Sequence, residues 1–314
     1  MPGGPLTIWC DLAAPEPALA MLRAGVAPHL LVDGADLAVA QADVAFGRPD
    51  ADRCAEAERL EWVQLATAGY TAFDRAAIRA AFAKRGARLT SSSSVYAEPC
   101  AQHLLAFMLA DARQLARSLR HQLGDRAWMS EATRAASYLL RGQTVVVVGF
   151  GAIARRLGEL LAPFGLEVVA FRRTPHGDEP MPTFGLGALE PWLGRADHVI
   201  DVLPASAETA GFFGAARIAA IRRGATFYNV GRGSTVDPAA LRRALESGAL
   251  RAAYLDVTDP EPLPPDDPLW SLPTCVVTPH SAGGHADEYE RLVRHFLANL
   301  RRHDAGQPLV DQVI

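Results

Sequence analysis

Residues Thr144–Ala154 read TVVVVGFGAIA and decide the fold of the chain. Val145–Val148 are four β-branched residues, which suit a strand buried on both faces of a parallel sheet. Gly149 and Gly151 follow at once, and apolar side chains then recur at helical spacing over residues 153–164. Glycine permits a tight turn and a close approach of backbone to ligand. Strand, glycine turn and helix in this order predict a nucleotide-binding unit.

The turn fits the pattern G-x-G-x-x-(G/A), written here as GFGAIA. Gly149 allows the turn, Gly151 leaves room for a pyrophosphate, and Ala154 permits close packing of helix on strand. The first N–H groups of the helix, those of Ala152 and Ile153 among them, are then available to phosphate oxygens. The alternative interpretation is a tight turn without a ligand.

The end of the second predicted strand carries the cofactor preference. Dinucleotide sites place Asp or Glu about 20 residues after the turn, where it binds the ribose hydroxyls. Here the chain reads Phe171–Thr174 (FRRT), so Arg172, Arg173 and Thr174 stand where the carboxylate is expected. Guanidinium groups favour a 2′-phosphate through charge-assisted bonds, which predicts NADP, with NAD possible. The alternative is two surface arginines.

The remainder of the chain alternates short apolar runs with helical stretches. Strands are expected at 6–9, 30–32, 44–46, 62–65, 88–90, 144–148, 167–171, 198–203, 225–230, 252–257 and 275–278. A helix is expected from Pro99 to Leu119, with residues 91–94 and Pro175–Gly187 as loops. Alternation of this kind predicts an α/β fold with doubly wound parallel sheets.

Three polar residues follow predicted strands directly. They are Arg232, Glu261 and His280. Ligands of open α/β sheets lie beyond the carboxyl ends of the strands, so these side chains can converge on one site. Histidine is the side-chain type suited to proton exchange near neutral pH, so His280 can act as an acid or base, whereas Arg232 is a fixed cation for a carboxylate or a carbonyl oxygen.

The bulk composition excludes several classes of function. The net charge of −4 offers no polybasic surface for nucleic acid. No apolar run approaches the ~18 residues of a membrane span, and the first residues lack the pattern of a signal peptide, so we expect a cytoplasmic protein. The 4 cysteines have neither C-x-x-C pairing nor zinc spacing. We expect no metal.

Several segments occur together in an order typical of one family. They are Val145–Ala154, Asp201–Pro204, Tyr228–Gly233, Asp256–Pro262 and Asp267–His280. Over residues 60–285 the chain resembles the D-isomer-specific 2-hydroxyacid dehydrogenases, in particular the glyoxylate/hydroxypyruvate reductases.

The resemblance implies a role for each matching residue. Arg232 would hold the substrate carboxylate and carbonyl, His280 would be the acid/base, and Glu261 its partner. Asp256 would contact the nicotinamide carboxamide. Backbone N–H groups of the turn at residues 67–70, represented by Ala68 and Gly69, would bind the substrate carboxylate. Further cofactor contacts would come from Leu203, Pro204, Thr209, Val230, Gly231, His280 and Gly283.

The resemblance also implies the domain organisation. Residues 1–98 plus 283–314 would form a flavodoxin-like substrate domain, and residues 99–282 a Rossmann dinucleotide-binding domain, with the site in a cleft between them. Members of the family are commonly homodimers. The implied reaction is hydride transfer between NADPH and a small 2-oxo acid, of the glyoxylate or hydroxypyruvate class. Two alternatives are a nucleotide-sensing regulator or co-repressor, and a formate- or phosphite-type dehydrogenase.

Overall fold

The computed structural model describes residues 4–35 and 38–314, which form two compact units. The first unit runs to Tyr96 and resumes at Gly284, and the second covers Ala97–Gly283. We expected the substrate domain to comprise residues 1–98 and 283–314. Its first three residues, together with Asp36 and Leu37, lie outside the described residues.

The first unit contains a five-stranded sheet in which all strands are parallel. The strands are β1 (Thr7–Cys10), β2 (Leu30–Asp33), β3 (Val44–Gly47), β4 (Trp62–Leu65) and β5 (Arg88–Thr90). Their order is β2-β1-β3-β4-β5, which is the flavodoxin-like arrangement. The central strands β3 and β4 are buried along their whole length, in keeping with their continuous apolar character.

Helices cover this sheet on its faces. They are α1 (Glu16–Gly25), α2 (Ala51–Glu56), α3 (Ala76–Arg85) and, from the end of the chain, α11 (Glu288–Asp304). Phe296 of α11 stacks on Phe46 and Trp62, with ring centroids 4.3 and 5.3 Å apart. The final helix therefore completes the core of the first unit.

The second unit contains a seven-stranded sheet, again with every strand parallel. The strands are β6 (Thr144–Val148), β7 (Glu167–Arg172), β8 (Thr183–Gly185), β9 (His198–Asp201), β10 (Ala225–Asn229), β11 (Leu250–Leu255) and β12 (Cys275–Val277). Their order is β12-β11-β10-β9-β6-β7-β8, so the direction of winding reverses between β6 and β9. Such a reversal opens a crevice for a ligand at the carboxyl ends of the strands. The predicted pair of parallel α/β sheets is confirmed.

Seven helices belong wholly or mainly to this second unit. They are α4 (Ser93–Ala112), α5 (Leu115–Leu123), α6 (Ser130–Ala136), α7 (Ala152–Leu161), α8 (Leu189–Leu193), α9 (Ala215–Ala220) and α10 (Pro238–Glu246). α10 begins as its sequence predicts, because Asp237 accepts hydrogen bonds from the N–H groups of Ala239 and Ala240 with Pro238 in the first turn. Among the described residues, none of the helices combines the length and the apolar character that a membrane crossing needs.

The long helix α4 begins earlier than we predicted. Residues 91–94 were expected to be a loop, yet the helix starts at Ser93 and includes Pro99, which lacks a hydrogen-bonding N–H. Its buried face comprises Cys100, Ala101, Leu104, Phe107 and Met108. Packing of this face outweighs the proline, and the helix ends well before Leu119 because Gln114 has a φ of +58°.

The segment Pro175–Gly187 is not entirely a loop. Thr183–Gly185 forms the edge strand β8, which pairs with residues 170–172 of β7. Three residues are too few to show a strand period, so the sequence pattern had no signal for it.

Candidate active site

The two glycines of the turn after β6 have different surroundings. Gly149 has a φ of +102°, and a Cβ there would lie 3.0 Å from the Val202 carbonyl oxygen, so a side chain is excluded on two grounds. Gly151 precedes α7, and a Cβ at this position would meet no heavy atom within 4 Å. Ala154, a residue of α7 itself, is fully buried.

The start of α7 suits the pyrophosphate of a dinucleotide. The helix has 10 residues, and the N–H groups of its first turn, including those of Ala152 and Ile153, have no carbonyl partner within the helix. Free N–H groups and the helix dipole together favour an anion at this end of the helix. These residues therefore fit the cofactor that the sequence predicts.

Five further residues predicted to bind the cofactor lie in the loops after β9 and β10, which are in contact. A Cβ at Gly231 would lie 2.6 Å from the Leu203 carbonyl oxygen and 2.8 Å from its nitrogen, so the two backbones are in direct contact. Leu203 and Val230 are each 6% exposed. The loop after β9 is closed by Thr209, whose hydroxyl donates to the Pro204 carbonyl at 2.6 Å. The loops after the adjacent strands β9 and β10 are therefore packed against each other.

The arginines after β7 are both paired with carboxylates. Arg172 Nη1 lies 3.2 Å from Glu179 Oε1, and Arg173 forms an ion pair with Glu208. Thr174, next in the chain, is exposed. Neither acid was predicted, because Glu179 lies in a segment that resembled a generic loop and Glu208 lies 35 residues from its partner.

Glu179 is held in place by the backbone around it. Its carboxylate accepts hydrogen bonds from the N–H groups of His176 and Gly177, each at 2.8 Å, and its side chain is 4% exposed. Those N–H groups, with Arg172, lower the pKa of Glu179 to about 2. The carboxylate is therefore ionised at any pH near neutrality, and it occupies one side of the Arg172 guanidinium.

The predicted acid/base pair is assembled in the structure. His280 Nδ1 lies 2.5 Å from Glu261 Oε1, and both side chains are partly exposed, by 47% and 41%. A carboxylate can only accept at that contact, so the proton of the neutral imidazole sits on Nδ1. Nε2 is then the atom that exchanges a proton with a substrate.

Buried Asp256 shapes the turn that carries His280. Its carboxylate accepts hydrogen bonds from Thr278 Oγ1 at 2.6 Å, Ser281 N at 2.9 Å and Ala282 N at 3.0 Å. Its carbonyl accepts the His280 N–H at 2.9 Å. Asp256 is 2% exposed, and Gly283 follows this turn directly. The residue expected to contact the nicotinamide is thus also the anchor of the catalytic turn.

His103, on α4, is a neighbour of this anchor that the sequence did not reveal. Its Nε2 lies 3.1 Å from Thr278 Oγ1 and 3.8 Å from Asp256 Oδ1. Burial lowers the pKa of His103, against the opposing effect of Asp256. It therefore serves as a neutral hydrogen-bonding group beside the turn.

Arg232 follows β10 in a loop whose backbone is fixed by buried side chains. Its carbonyl accepts hydrogen bonds from Asn229 Nδ2 at 3.0 Å and Thr235 Oγ1 at 2.6 Å. Its half-buried guanidinium donates from Nη1 to the Gly231 carbonyl at 2.6 Å. The side chain is thereby directed by its own backbone loop, and it needs no acidic partner for that.

The three predicted polar residues follow neighbouring strands. β10, β11 and β12 are adjacent in the sheet, and Arg232, Glu261 and His280 come after their carboxyl ends in that order. A Cβ at Gly233 would lie 1.9 Å from the Thr258 carbonyl oxygen, so the loop after β10 packs directly on the chain after β11. The guanidinium of Arg232 and the imidazole of His280 therefore lie at the same edge of this sheet, the edge at which the glycine turn also lies.

The residues predicted to bind the substrate carboxylate, Ala68 and Gly69, lie in the first unit after β4. Thr67 Oγ1 donates to the Gly69 carbonyl at 2.8 Å, and the Thr67 carbonyl accepts the Ser92 N–H at 2.9 Å. The turn is thus fixed at both ends by its own contacts.

Comparison with known proteins gives a consistent family. Residues 105–282 match the family model described as D-isomer specific 2-hydroxyacid dehydrogenase, NAD binding domain. The chain is 34% identical over 230 residues to glyoxylate/hydroxypyruvate reductase B of Citrobacter koseri, a match that covers 71% of this chain and 68% of that protein.

Solved structures agree over nearly the whole chain. A D-isomer specific 2-hydroxyacid dehydrogenase from Xanthobacter autotrophicus, in complex with NADPH and MES, superposes with a TM-score of 0.83 at 27% identity, covering 99% of this chain and 98% of that one. An NADPH-dependent glyoxylate/hydroxypyruvate reductase from Sinorhizobium meliloti, in complex with NADP and sulfate, has a TM-score of 0.80 at 25% identity, with 98% of each chain covered.

Proposed function

The chain belongs to the D-isomer-specific 2-hydroxyacid dehydrogenase family, and we propose that it reduces a small 2-oxo acid to the D-2-hydroxy acid with NADPH. The observation that carries this proposal is the hydrogen-bonded pair of His280 and Glu261 beside the loop of Arg232, at the edge of a dinucleotide-binding sheet. The names of the relatives from Citrobacter and Sinorhizobium favour a substrate of the glyoxylate or hydroxypyruvate class.

The side chains divide the chemistry between them. When bound, the reduced nicotinamide supplies a hydride to the carbonyl carbon of the 2-oxo acid. His280 Nε2–H gives its proton to the carbonyl oxygen, and Glu261 stabilises the charged imidazole from which that proton leaves. Arg232 binds the substrate carboxylate and stabilises the negative charge that grows on the oxygen. The N–H groups of Ala68 and Gly69 would bind the same carboxylate.

The cofactor would lie along the crevice of the second unit. Ala152 and Ile153 would bind its pyrophosphate, and Arg172 with Arg173 its 2′-phosphate. The remaining contacts would come from Gly149, Gly151, Thr174, Leu203, Pro204, Thr209, Val230, Gly231, Asp256, His280 and Gly283. NADPH is preferred over NADH because two guanidinium groups stand at the position of the usual ribose-binding carboxylate.

A panel of 2-oxo acids assayed with NADPH and NADH in parallel tests this function. We expect turnover of glyoxylate and hydroxypyruvate, with a higher kcat/KM for NADPH than for NADH. Tight NADPH binding without turnover of any 2-oxo acid would instead identify a nucleotide-sensing protein. Oxidation of formate or phosphite would move the chain to another branch of dehydrogenases.

We also propose that the enzyme is a homodimer, as members of its family commonly are. The support is an apolar surface on α5 and the segment after it, whose side chains are between 53% and 93% exposed. These side chains are Leu115, Leu119, Leu123, Trp128 and Leu139. Exposed apolar groups at this density mark an association surface, and a second copy of the chain buries it symmetrically.

The mass in solution tests the dimer. Light scattering is expected to give twice the 33.6 kDa of one chain. Leu123→Asp with Trp128→Asp should return the single-chain mass, because two charges then face an apolar surface. Leu30→Asp is the matched control, since Leu30 is 59% exposed on β2 of the other unit. An unchanged mass in the double variant contradicts this surface.

We place the enzyme in the cytoplasm. Its cysteines, all four of them buried, are free thiols, as is usual where glutathione keeps thiols reduced. Fractionation of producing cells, with activity measured in each fraction, tests this location.

A further inference from the structure

Asp201 is a fully buried carboxyl group at the carboxyl end of β9, one strand from the Arg232 loop. Its Oδ1 accepts the Leu203 N–H at 2.9 Å, and its Oδ2 lies 2.5 Å from Thr235 Oγ1. Thr235 is also fully buried, and the same Oγ1 lies 2.6 Å from the Arg232 carbonyl oxygen. One hydroxyl therefore joins Asp201 to the backbone of Arg232.

The hydroxyl of Thr235 lies between two acceptors but has a single hydrogen to give. If Asp201 is ionised, that hydrogen serves either the carboxylate or the Arg232 carbonyl. The contact that is left without it brings two oxygen lone pairs together at hydrogen-bonding distance, in a fully buried site. A second proton, on Asp201 itself, satisfies both contacts.

We propose that Asp201 carries this proton and is a positioning residue for Arg232. Its Oδ2–H donates to Thr235 Oγ1, and the Thr235 hydroxyl then donates to the Arg232 carbonyl. The inference rests on the proposed function in one respect, namely that Arg232 binds the 2-oxo acid. No role was predicted for either Asp201 or Thr235.

The surroundings of Asp201 support a neutral carboxyl group. Burial raises the pKa of Asp201 to about 7, with a smaller opposing effect from the hydrogen bonds of Thr235 and Leu203. The residues paired with it on the flanking strands are Val148 of β6 and Asn229 of β10. None of these four neighbours titrates, so burial of Asp201 is what favours the proton.

Ionisation of Asp201 would weaken the hold on Arg232. The Thr235 hydrogen would turn toward the carboxylate, and the Arg232 carbonyl would keep the Asn229 amide at 3.0 Å as its remaining side-chain donor. We therefore expect the KM for the 2-oxo acid to rise with pH through neutrality, while the Kd for NADPH stays constant. A KM effect without a cofactor effect separates positioning of Arg232 from a general loss of structure.

Three variants test this chain of hydrogen bonds. Asp201→Asn replaces the carboxyl O–H by an amide N–H of the same reach, so its KM should match the wild type at pH 6 and stay flat to pH 9. Thr235→Val keeps the shape of Thr235 but removes the hydroxyl, and its KM should rise about tenfold at every pH, the equivalent of one buried hydrogen bond. Thr235→Ser should restore the wild-type profile.

The decisive contrary results are specific. An Asp201→Asn enzyme with the same pH dependence as the wild type, or a Thr235→Val enzyme within twofold of wild-type KM, would overturn the proposal. The carboxylic acid infrared band of Asp201, read as wild type minus Asp201→Asn at pH 6, reports the proton without any assay of turnover. If the band is present but the protein has no 2-oxo acid activity, only the proposed function is rejected. If the band is absent, the proton on Asp201 and its role in positioning Arg232 are rejected.

Discussion

The two regions that we propose bind anionic ligands are held in opposite ways. At the carboxyl ends of β10–β12, the loops that carry Arg232 and His280 are fixed by the buried side chains of Asp256 and Thr235. After β7, Arg172 is engaged by a carboxylate of an outlying loop. In the proposed sites, the first region is ordered without its ligand, whereas in the second a phosphate would replace an acid.

This difference separates catalysis from cofactor choice. Preorganised groups act on the transition state without reorganisation, so changes in the first region should reduce turnover strongly. A cation that already has a partner gains only the difference between two partners, so changes in the second region should alter cofactor affinity modestly. Variants in each region test whether the two regions differ in this way.

The largest effect is expected from loss of the proton donor. His280→Gln should lower kcat/KM for the 2-oxo acid by about 10³-fold, because the carbonyl oxygen then has no acid. The Kd for NADPH, measured by fluorescence titration, should stay within twofold. Glu261→Gln is the graded companion and should lose less, since the imidazole remains. A His280→Gln enzyme within tenfold of the wild type would remove His280 from the mechanism.

A smaller loss of turnover is expected when the hydrogen bonds that fix the turn of His280 are removed. Asp256→Asn places an amide against the N–H of Ser281 or Ala282, which now face a donor in place of an acceptor. We expect kcat to fall about 10²-fold, because a displacement near 1 Å is sufficient for that. Thr278→Val removes one of the same hydrogen bonds and should fall between this variant and the wild type. Normal kcat in both would show that the turn holds without its anchor.

Removal of the arginines should act on one cofactor only. Arg172→Ala and Arg173→Ala should each raise the KM for NADPH about tenfold and leave that for NADH unchanged, since only NADPH carries the 2′-phosphate. Arg195→Ala is the matched control, because Arg195 also pairs with a surface acid, Glu167, which stands at the opposite end of β7 from Arg172. A parallel rise for NADH would mean that the arginines hold the ribose.

The smallest effect is expected from the acid that occupies Arg172. Glu179→Gln keeps the shape of the side chain but removes its charge, so the KM for NADPH should fall by a factor of about 2 to 3. The pKa of Glu179 is lowered to about 2, so its charge is present above that value and is lost only in strong acid. The effect should therefore be constant between pH 6 and 9. Glu190→Gln, whose partner Arg217 lies away from the turn, should change nothing.

The sequence predicted features that repeat along the chain or that stand at the end of a repeat. β4 and β5 have the predicted bounds, and Glu261 and His280 meet as expected from their positions after two adjacent strands. Periodicity and turn chemistry act over a few residues, which is why they can be read directly.

The features that the sequence did not reveal are contacts between distant segments. Asp201 and Thr235 are 34 residues apart, and neither residue by itself indicates that the two side chains are in contact. The acid that engages Arg172 lies in a segment without period, where no local rule assigns a partner. The early start of α4 has the same origin, because packing of its buried face decided against a proline that local rules place in the first turn.

The backbone of His280 has a consequence for how this enzyme evolves. Its φ of +51° lies in a region that glycine occupies freely and other residues occupy at about 1 kcal/mol or more. The most relaxed residue at this position would have no imidazole, so selection for stability and selection for turnover oppose each other at a single codon. Such a site loses its function readily once turnover ceases to matter, and relatives that no longer catalyse are expected to change here early.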